Sequence, residues 1–211
     1  NSSTFYFKSG KISNNNANTG GGIFVSTNTT LKMTGGSITG NTTVKSTGAG
    51  IQMLRSTGYL SGGTISGNNS GSQGGGVYLS GATAYLQGTY IANNVAKTNG
   101  GGVGTGQATA TVNGVTQKFQ CKLVLSGSTI ANNKAQNGGG VILQSYTVFD
   151  MTGGVIRDND ATAAAGGAYV STNATMNMTG GAVTGNHSVK NGGGLYHMNS
   201  KGNYTGGKIE G

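Results

Sequence analysis

Met33-Thr34-Gly35-Gly36-Ser37-Ile38-Thr39-Gly40-Asn41 is the phrase around which the chain is organised. It returns as Tyr59-Leu60-Ser61-Gly62-Gly63-Thr64-Ile65-Ser66-Gly67-Asn68 and as Met178-Thr179-Gly180-Gly181-Ala182-Val183-Thr184-Gly185-Asn186. A more altered copy is Met151-Thr152-Gly153-Gly154-Val155-Ile156-Arg157-Asp158-Asn159. Aligned on the branched apolar residue, seven copies are centred on Ile12, Ile38, Ile65, Ile91, Ile130, Ile156 and Val183, and an eighth opens at Ile209. Asparagine follows three residues after each of the seven, at Asn15, Asn41, Asn68, Asn94, Asn133, Asn159 and Asn186. The steps are 26, 27, 26, 39, 26 and 27 residues, and the long one holds an insertion of about 12. A fixed period in this range is the signature of a repeat architecture.

Each copy has a second half, in which a Gly-rich turn leads into a short apolar run. Gly20-Gly21-Gly22-Ile23-Phe24-Val25 and Gly74-Gly75-Gly76-Val77-Tyr78-Leu79 are examples. Period-two alternation places Leu31, Met33, Ile23 and Val25 inward, with Lys32 and Phe24 outward. The unit therefore holds three short strands, too few to bury an apolar face alone; stacking like units makes a continuous core. The expected fold is one continuous all-β domain over residues 1–211, a single-stranded parallel β-helix (β-solenoid) of about 7–8 coils of 26–28 residues. With strands about 4.8 Å apart the rod would be roughly 35 Å long. In such a stack each asparagine sits on its copy above and below and can donate and accept along the column, an asparagine ladder.

Composition agrees. Gly is 43 of 211 residues, Pro is absent and only 8% are charged, which excludes collagen, Pro-rich linkers and charge-rich disorder. The net charge of +9 favours anionic partners. Cys121 is the single cysteine, so no internal disulfide framework exists. No apolar run approaches the ~20 residues of a membrane helix.

Residues 104–121 interrupt the period between the third strand of one coil and the first strand of the next. Alternating runs on either side of Asn113-Gly114 predict a β-hairpin there.

The phrase Met-Thr-Gly-Gly-x-Ile-x-Gly-Asn, followed by Gly-Gly-Gly-Val-Tyr-Leu, resembles the repeats of bacterial right-handed parallel β-helix surface proteins. These are adhesin-like, and similar to the passenger repeats of polymorphic outer-membrane autotransporters, whose second motif has Phe where Ile or Val stands here. The resemblance implies a right-handed coil, in keeping with the crossover rule, and an extracellular or cell-surface location. It carries no activity of its own, because one solenoid hosts many functions.

Lyases and glycosidases on such a scaffold need clustered carboxylates. Asp150, Asp158, Asp160 and Glu210 are the only four acids. His187 and His197 have no acidic neighbour in a useful pattern, so no catalytic residue, metal or cofactor is expected and a polysaccharide lyase-like enzyme is the least favoured reading. Three surface features are candidates for function. Phe24, Tyr78, Tyr169 and Tyr196 would form an outward stripe on the third strand. Tyr6, Tyr59 and Tyr85, with Lys32, would form a patch on the first strand. Outward aromatics suit sugar stacking, a partner surface, or cross-strand packing. Lys45, Lys97, Lys134 and Lys190 follow ladder asparagines within four residues and would line a basic edge for an acidic glycan. Threonine and serine columns such as Ser37-Ile38-Thr39 also resemble ice-binding arrays, although Lys11, Tyr90, Arg157 and Lys208 interrupt them.

The expected function is an extracellular structural or adhesive rod without enzymatic activity, a segment of a surface adhesin or of a self-stacking fibre. Glycan binding and ice binding are the alternatives. Expected partners are the chain itself, by end-to-end stacking of uncapped coils, or an anionic glycan or cell surface; nucleic acid is not expected.

Overall fold

A computed structural model describes residues 2–211. It is an all-β, right-handed-type parallel solenoid of about eight turns. The strand-forming segments are those where apolar and polar residues alternate, as in Thr29–Met33, whose Leu31 and Met33 are buried while Lys32 is not. Three parallel sheets run the length of the rod. One, of 14 strands, contains both the segments that end at Met33-type positions and those that carry Ile38-type residues; the strand Thr175–Thr184 spans the two. A 7-stranded sheet carries Ile23–Val25 and its copies.

The remaining 7-stranded sheet is built from segments that the alternation did not reveal, such as Thr42–Thr43 and Asn69–Ser70. Each coil thus has a fourth segment, only two residues long in most coils, directly after the ladder asparagine. Two residues are too few for a period to show.

Register is kept from coil to coil: Ile12, Ile38, Ile65, Ile91, Ile130, Ile156, Val183 and Ile209 pair in sequence. Ile38, Ile65, Ile91, Ile130, Ile156 and Val183 are fully buried, each contributing roughly 1.5–3 kcal/mol, whereas Ile12 and Ile209 at the two ends are not. Inside the first segment the column reads Leu31, Gly58, Ala84, Leu123, Phe149, Met176. Size varies along it, and neighbours compensate: a Cβ added at Gly58 would lie 2.7 Å from Met53 Cε.

The corners need left-handed backbone. The residue before each ladder asparagine adopts it, not the asparagine itself. Asn14, Gly40, Gly67, Asn93, Asn132, Asp158 and Gly185 all have φ between 54° and 65°. Asn, Asp and Gly are the residues that tolerate this region.

The excursion is shorter at its start than 104–121. Val103–Gly106 is a strand of the coil, in register with Val77–Ser80. Ala108–Val112 then pairs antiparallel with Val115–Phe119, turning through Asn113 and Gly114, both at positive φ. Cys121 returns to the core and is 3% exposed.

Candidate functional site

The asparagine column is fully engaged. Asn94 Oδ1 accepts from the backbone N–H of Asn68 at 3.0 Å and from Asn68 Nδ2 at 2.9 Å. Asn94 Nδ2 donates to Asn133 Oδ1 and to the Ile65 carbonyl, both at 3.0 Å. The same four-bond pattern recurs at Asn41, Asn68, Asn133 and Asn159, all of which are buried. Asn15 is exposed and donates to Asn41 without receiving a bond on its own side chain among the described residues. At Asn186 the Thr184 carbonyl takes the Nδ2 hydrogen that elsewhere goes to the next rung. With donors and acceptors spent on each other, the column is structural and has no free group for chemistry.

The aromatic stripe on the third strand does not form. In register, its column reads Phe24, Gln52, Tyr78, Gly104, Ile142, Tyr169, Tyr196. Gln52 and Ile142 are buried, and only Phe24 is well exposed. Tyr78 lies across the next coil: a Cβ on Gly104 would sit 2.9 Å from its Cδ2. Burial pushes the Tyr78 phenol up to about 12. Tyr169 and Tyr196 pack together, with ring centroids 5.1 Å apart and planes at 39°.

The first-strand patch does form. Tyr6, Lys32, Tyr59 and Tyr85 are consecutive partners in the ladder. Lys32 Nζ stands 5.6 Å from the Tyr6 ring centre and Lys8 Nζ 5.8 Å from it. Tyr59 and Tyr85 are nearly parallel, at 5.0 Å and 5°. One face of each ring is therefore covered by the other, and less remains for a sugar than an outward tyrosine promises. Further along, the column becomes polar. Asp150 accepts from Asn177 Nδ2 at 2.7 Å and pairs with Lys122 at 2.8 Å. Burial alone would raise the Asp150 carboxyl, but the hydrogen bonds from Lys122 and Asn177 outweigh it and hold it below the usual carboxylate range.

The four lysines are exposed but do not stack in one column. Lys134 is in register with Val95 and Asp160, whereas Lys97 stands two residues beyond Val95, and Lys45 and Lys190 are three beyond Thr42 and His187. Counting from the asparagine concealed these offsets. Three of the acids are already paired: Asp150 with Lys122, Asp158 with Arg157, and Asp160 with His187. No group of three metal-binding side chains occurs among the described residues. His197 points inward, in register with Val170. Its Nδ1 meets Ser200 Oγ at 2.8 Å, its Nε2 meets the Tyr204 hydroxyl, and burial lowers its pKa.

A cleft that sequence reasoning missed lies at the corner between the third strand and the first strand of the following coil. Two adjoining hollows of about 360 and 400 Å³ share Asn28, Arg55, Ser56 and Thr57. The hairpin closes one side. Its Phe119 ring lies 5.3 Å from the Arg55 guanidinium carbon, and a Cβ on Gly81 would come within 2.7 Å of the Cβ atoms of Ala108 and Phe119. Arg55 has φ 43°, in a column whose neighbours are Asn28 at 60° and Gly81 at 58°. Its Nε–H is shielded from solvent and has no partner among the described residues. The signal in the sequence was a lone arginine where neighbouring coils have Asn or Gly. It was obscured because the corner differs in length, Ser26-Thr27-Asn28 in one coil and Arg55-Ser56 in the next.

Comparison with protein-family models, with curated proteins and with solved structures gives no match.

Proposed function

We propose that the chain is a length of a structural, adhesive rod that works outside the cell or at its surface. The observation that carries this reading is the division of labour in each coil. The interior and the ladder are saturated by coil-to-coil packing, while the outside is a long sheet of hydroxyls and aromatics on which two of the four acids are tied in ion pairs and a third is hydrogen-bonded to His187. Such a surface suits contact better than acid–base chemistry, which needs a carboxylate free to exchange its proton. The likeness of the Gly-Gly-x-Ile-x-Gly-Asn repeat to bacterial adhesin-like β-helices supports the same reading. Coil-on-coil stacking is the self-association a rod of this kind offers, because its pairing is alike from one coil to the next.

A second reading, recognition of an anionic glycan, is favoured by the net charge of +9 together with the arginine-lined corner cleft. Ice binding has less support: the Thr39 and Ser66 column continues into Ala92 and Ala131, which are fully buried.

The test is a screen of the fluorescently labelled chain against immobilised glycans and intact cell surfaces. An adhesive rod is retained on at least one class of surface, and Tyr6→Ser with Tyr59→Ser weakens retention. Absence of retention on every surface would refute the adhesive reading.

A further inference from the structure

We propose that the corner cleft around Arg55 binds a carboxylated sugar residue. For its ligand class the proposal rests on the glycan-binding reading above. Three independent observations point to the site. The first is backbone strain. The neighbouring positions in this corner column are filled by Asn28 and Gly81, whereas Arg55 holds φ 43° with a long side chain. A non-glycine residue in the left-handed region is strained and persists where something else requires it. Asparagine would make the same turn with less strain, so the turn itself does not require arginine.

The second observation is the state of the guanidinium. The Phe119 ring centre lies 5.3 Å from its central carbon, a cation–π contact that holds the group at the wall of the cleft. Its Nε–H is shielded and unpaired among the described residues. The two Nη groups make no hydrogen bond among the described residues and, unlike Nε, are not shut off from solvent; a carboxylate bound end-on takes one hydrogen from each in a two-bond fork. The third is the lining. Around the arginine stand Thr27, Thr29, Ser56, Thr57 and Thr83, and no acid lines either hollow. Hydroxyls with one aromatic ring match the hydroxyls and the apolar face of a sugar. Hollows of about 360 and 400 Å³ lie within the usual size of small-ligand sites.

The hairpin gains a role in this account. It is the one departure from the period, and its base supplies the wall that makes a corner into a cleft. Gly81 lets it seat, because any side chain there would meet Ala108 and Phe119.

The test uses the whole chain and a matched pair of disaccharides, cellobiose and cellobiouronic acid, which differ by one carboxylate. Isothermal titration should show the acid binding at least tenfold more tightly than the neutral sugar. In the unsubstituted chain the Arg55 Nε–H resonance should shift on adding the acid. Arg55→Asn should weaken binding at least tenfold and leave the melting temperature unchanged or higher, since strain is relieved. Arg55→Lys, which keeps the charge but not the fork, should also lose at least tenfold. Binding of the acid that survives Arg55→Asn would overturn this site while leaving glycan recognition standing. Failure of the unsubstituted chain to bind either saccharide would overturn both. Inorganic sulfate binding as tightly as the uronate would reduce the cleft to a simple anion site and overturn the sugar assignment.

Discussion

Replacing Asn94 by leucine removes a middle rung of the asparagine column without altering any exposed surface. Four side-chain bonds disappear: two accepted from Asn68, one given to Asn133 and one given to the Ile65 carbonyl. Asn133 Oδ1 still receives the backbone N–H of residue 94 at 2.9 Å. The groups left stranded are the Asn68 backbone N–H and one Asn68 Nδ2 hydrogen, both buried. At about 1–3 kcal/mol for each unpaired buried donor the loss is roughly 2–6 kcal/mol. The added apolar surface of leucine offsets about 1 kcal/mol. A net cost of roughly 3 kcal/mol lowers the melting temperature of a domain this size by about 6–12 °C. The control is Asn15→Leu. Asn15 is exposed and its side chain makes one bond, to Asn41 Oδ1, which keeps the Asn15 backbone N–H as a second donor. Its loss should cost under about 1 kcal/mol. Thermal denaturation followed by circular dichroism measures both variants. Equal shifts at the two positions would refute the argument that buried pairing, rather than asparagine itself, gives the ladder its value.

Gly76→Ala tests how closely the coils approach. The new Cβ would lie 2.7 Å from the Gly102 carbonyl, 2.9 Å from Ile91 Cγ2 and 3.0 Å from Asn94 Nδ2; a loss of about 1–3 kcal/mol by chemical denaturation is expected. Asp150 should show in the acid limb of stability. Its folded pKa is depressed, so its contribution is full above the unfolded carboxyl pKa of about 4 and fades as pH falls through the lower folded value. The Asp150→Asn variant should therefore be about 0.2–1 kcal/mol less stable than the unsubstituted chain at pH 6 and indistinguishable from it at pH 2. Cys121 should resist a thiol reagent in the native protein and react fully in denaturant, because burial removes access and raises its pKa; rapid native labelling would contradict this placement.

Much of the interior could be read from the residues alone. Ile38 and its copies, Leu31, Met33 and the seven asparagines declare themselves by recurrence, and recurrence is what an in-register stack demands. The outside could not be read in the same way. Phe24, Tyr78 and Tyr169 share a phase, yet Tyr78 lies down over Gly104 while Phe24 stands free. Which of these happens depends on the neighbouring coil, through the absence of a Cβ at Gly104, and not on the phase of the strand. The lysines misled for a related reason. Lys45 and Lys134 both follow a ladder asparagine, but the segment between is short, and three residues of difference move a side chain to another part of the corner. Arg55 escaped notice because its neighbours in the column, Asn28 and Gly81, carry no chemistry, so the column attracted no comparison.

The hairpin at Ala108–Phe119 bears on how the chain finds its own register. Coils that resemble one another so closely pose an addressing problem: Ile on Ile and Asn on Asn would be satisfied if one coil paired a repeat out of place during folding. A shape that occurs once, seated on a corner where Gly81 alone leaves room between Arg55 and the excursion, fits a single offset. The hairpin is thus a key cut into an otherwise uniform thread, giving the rod a defined position along its own axis.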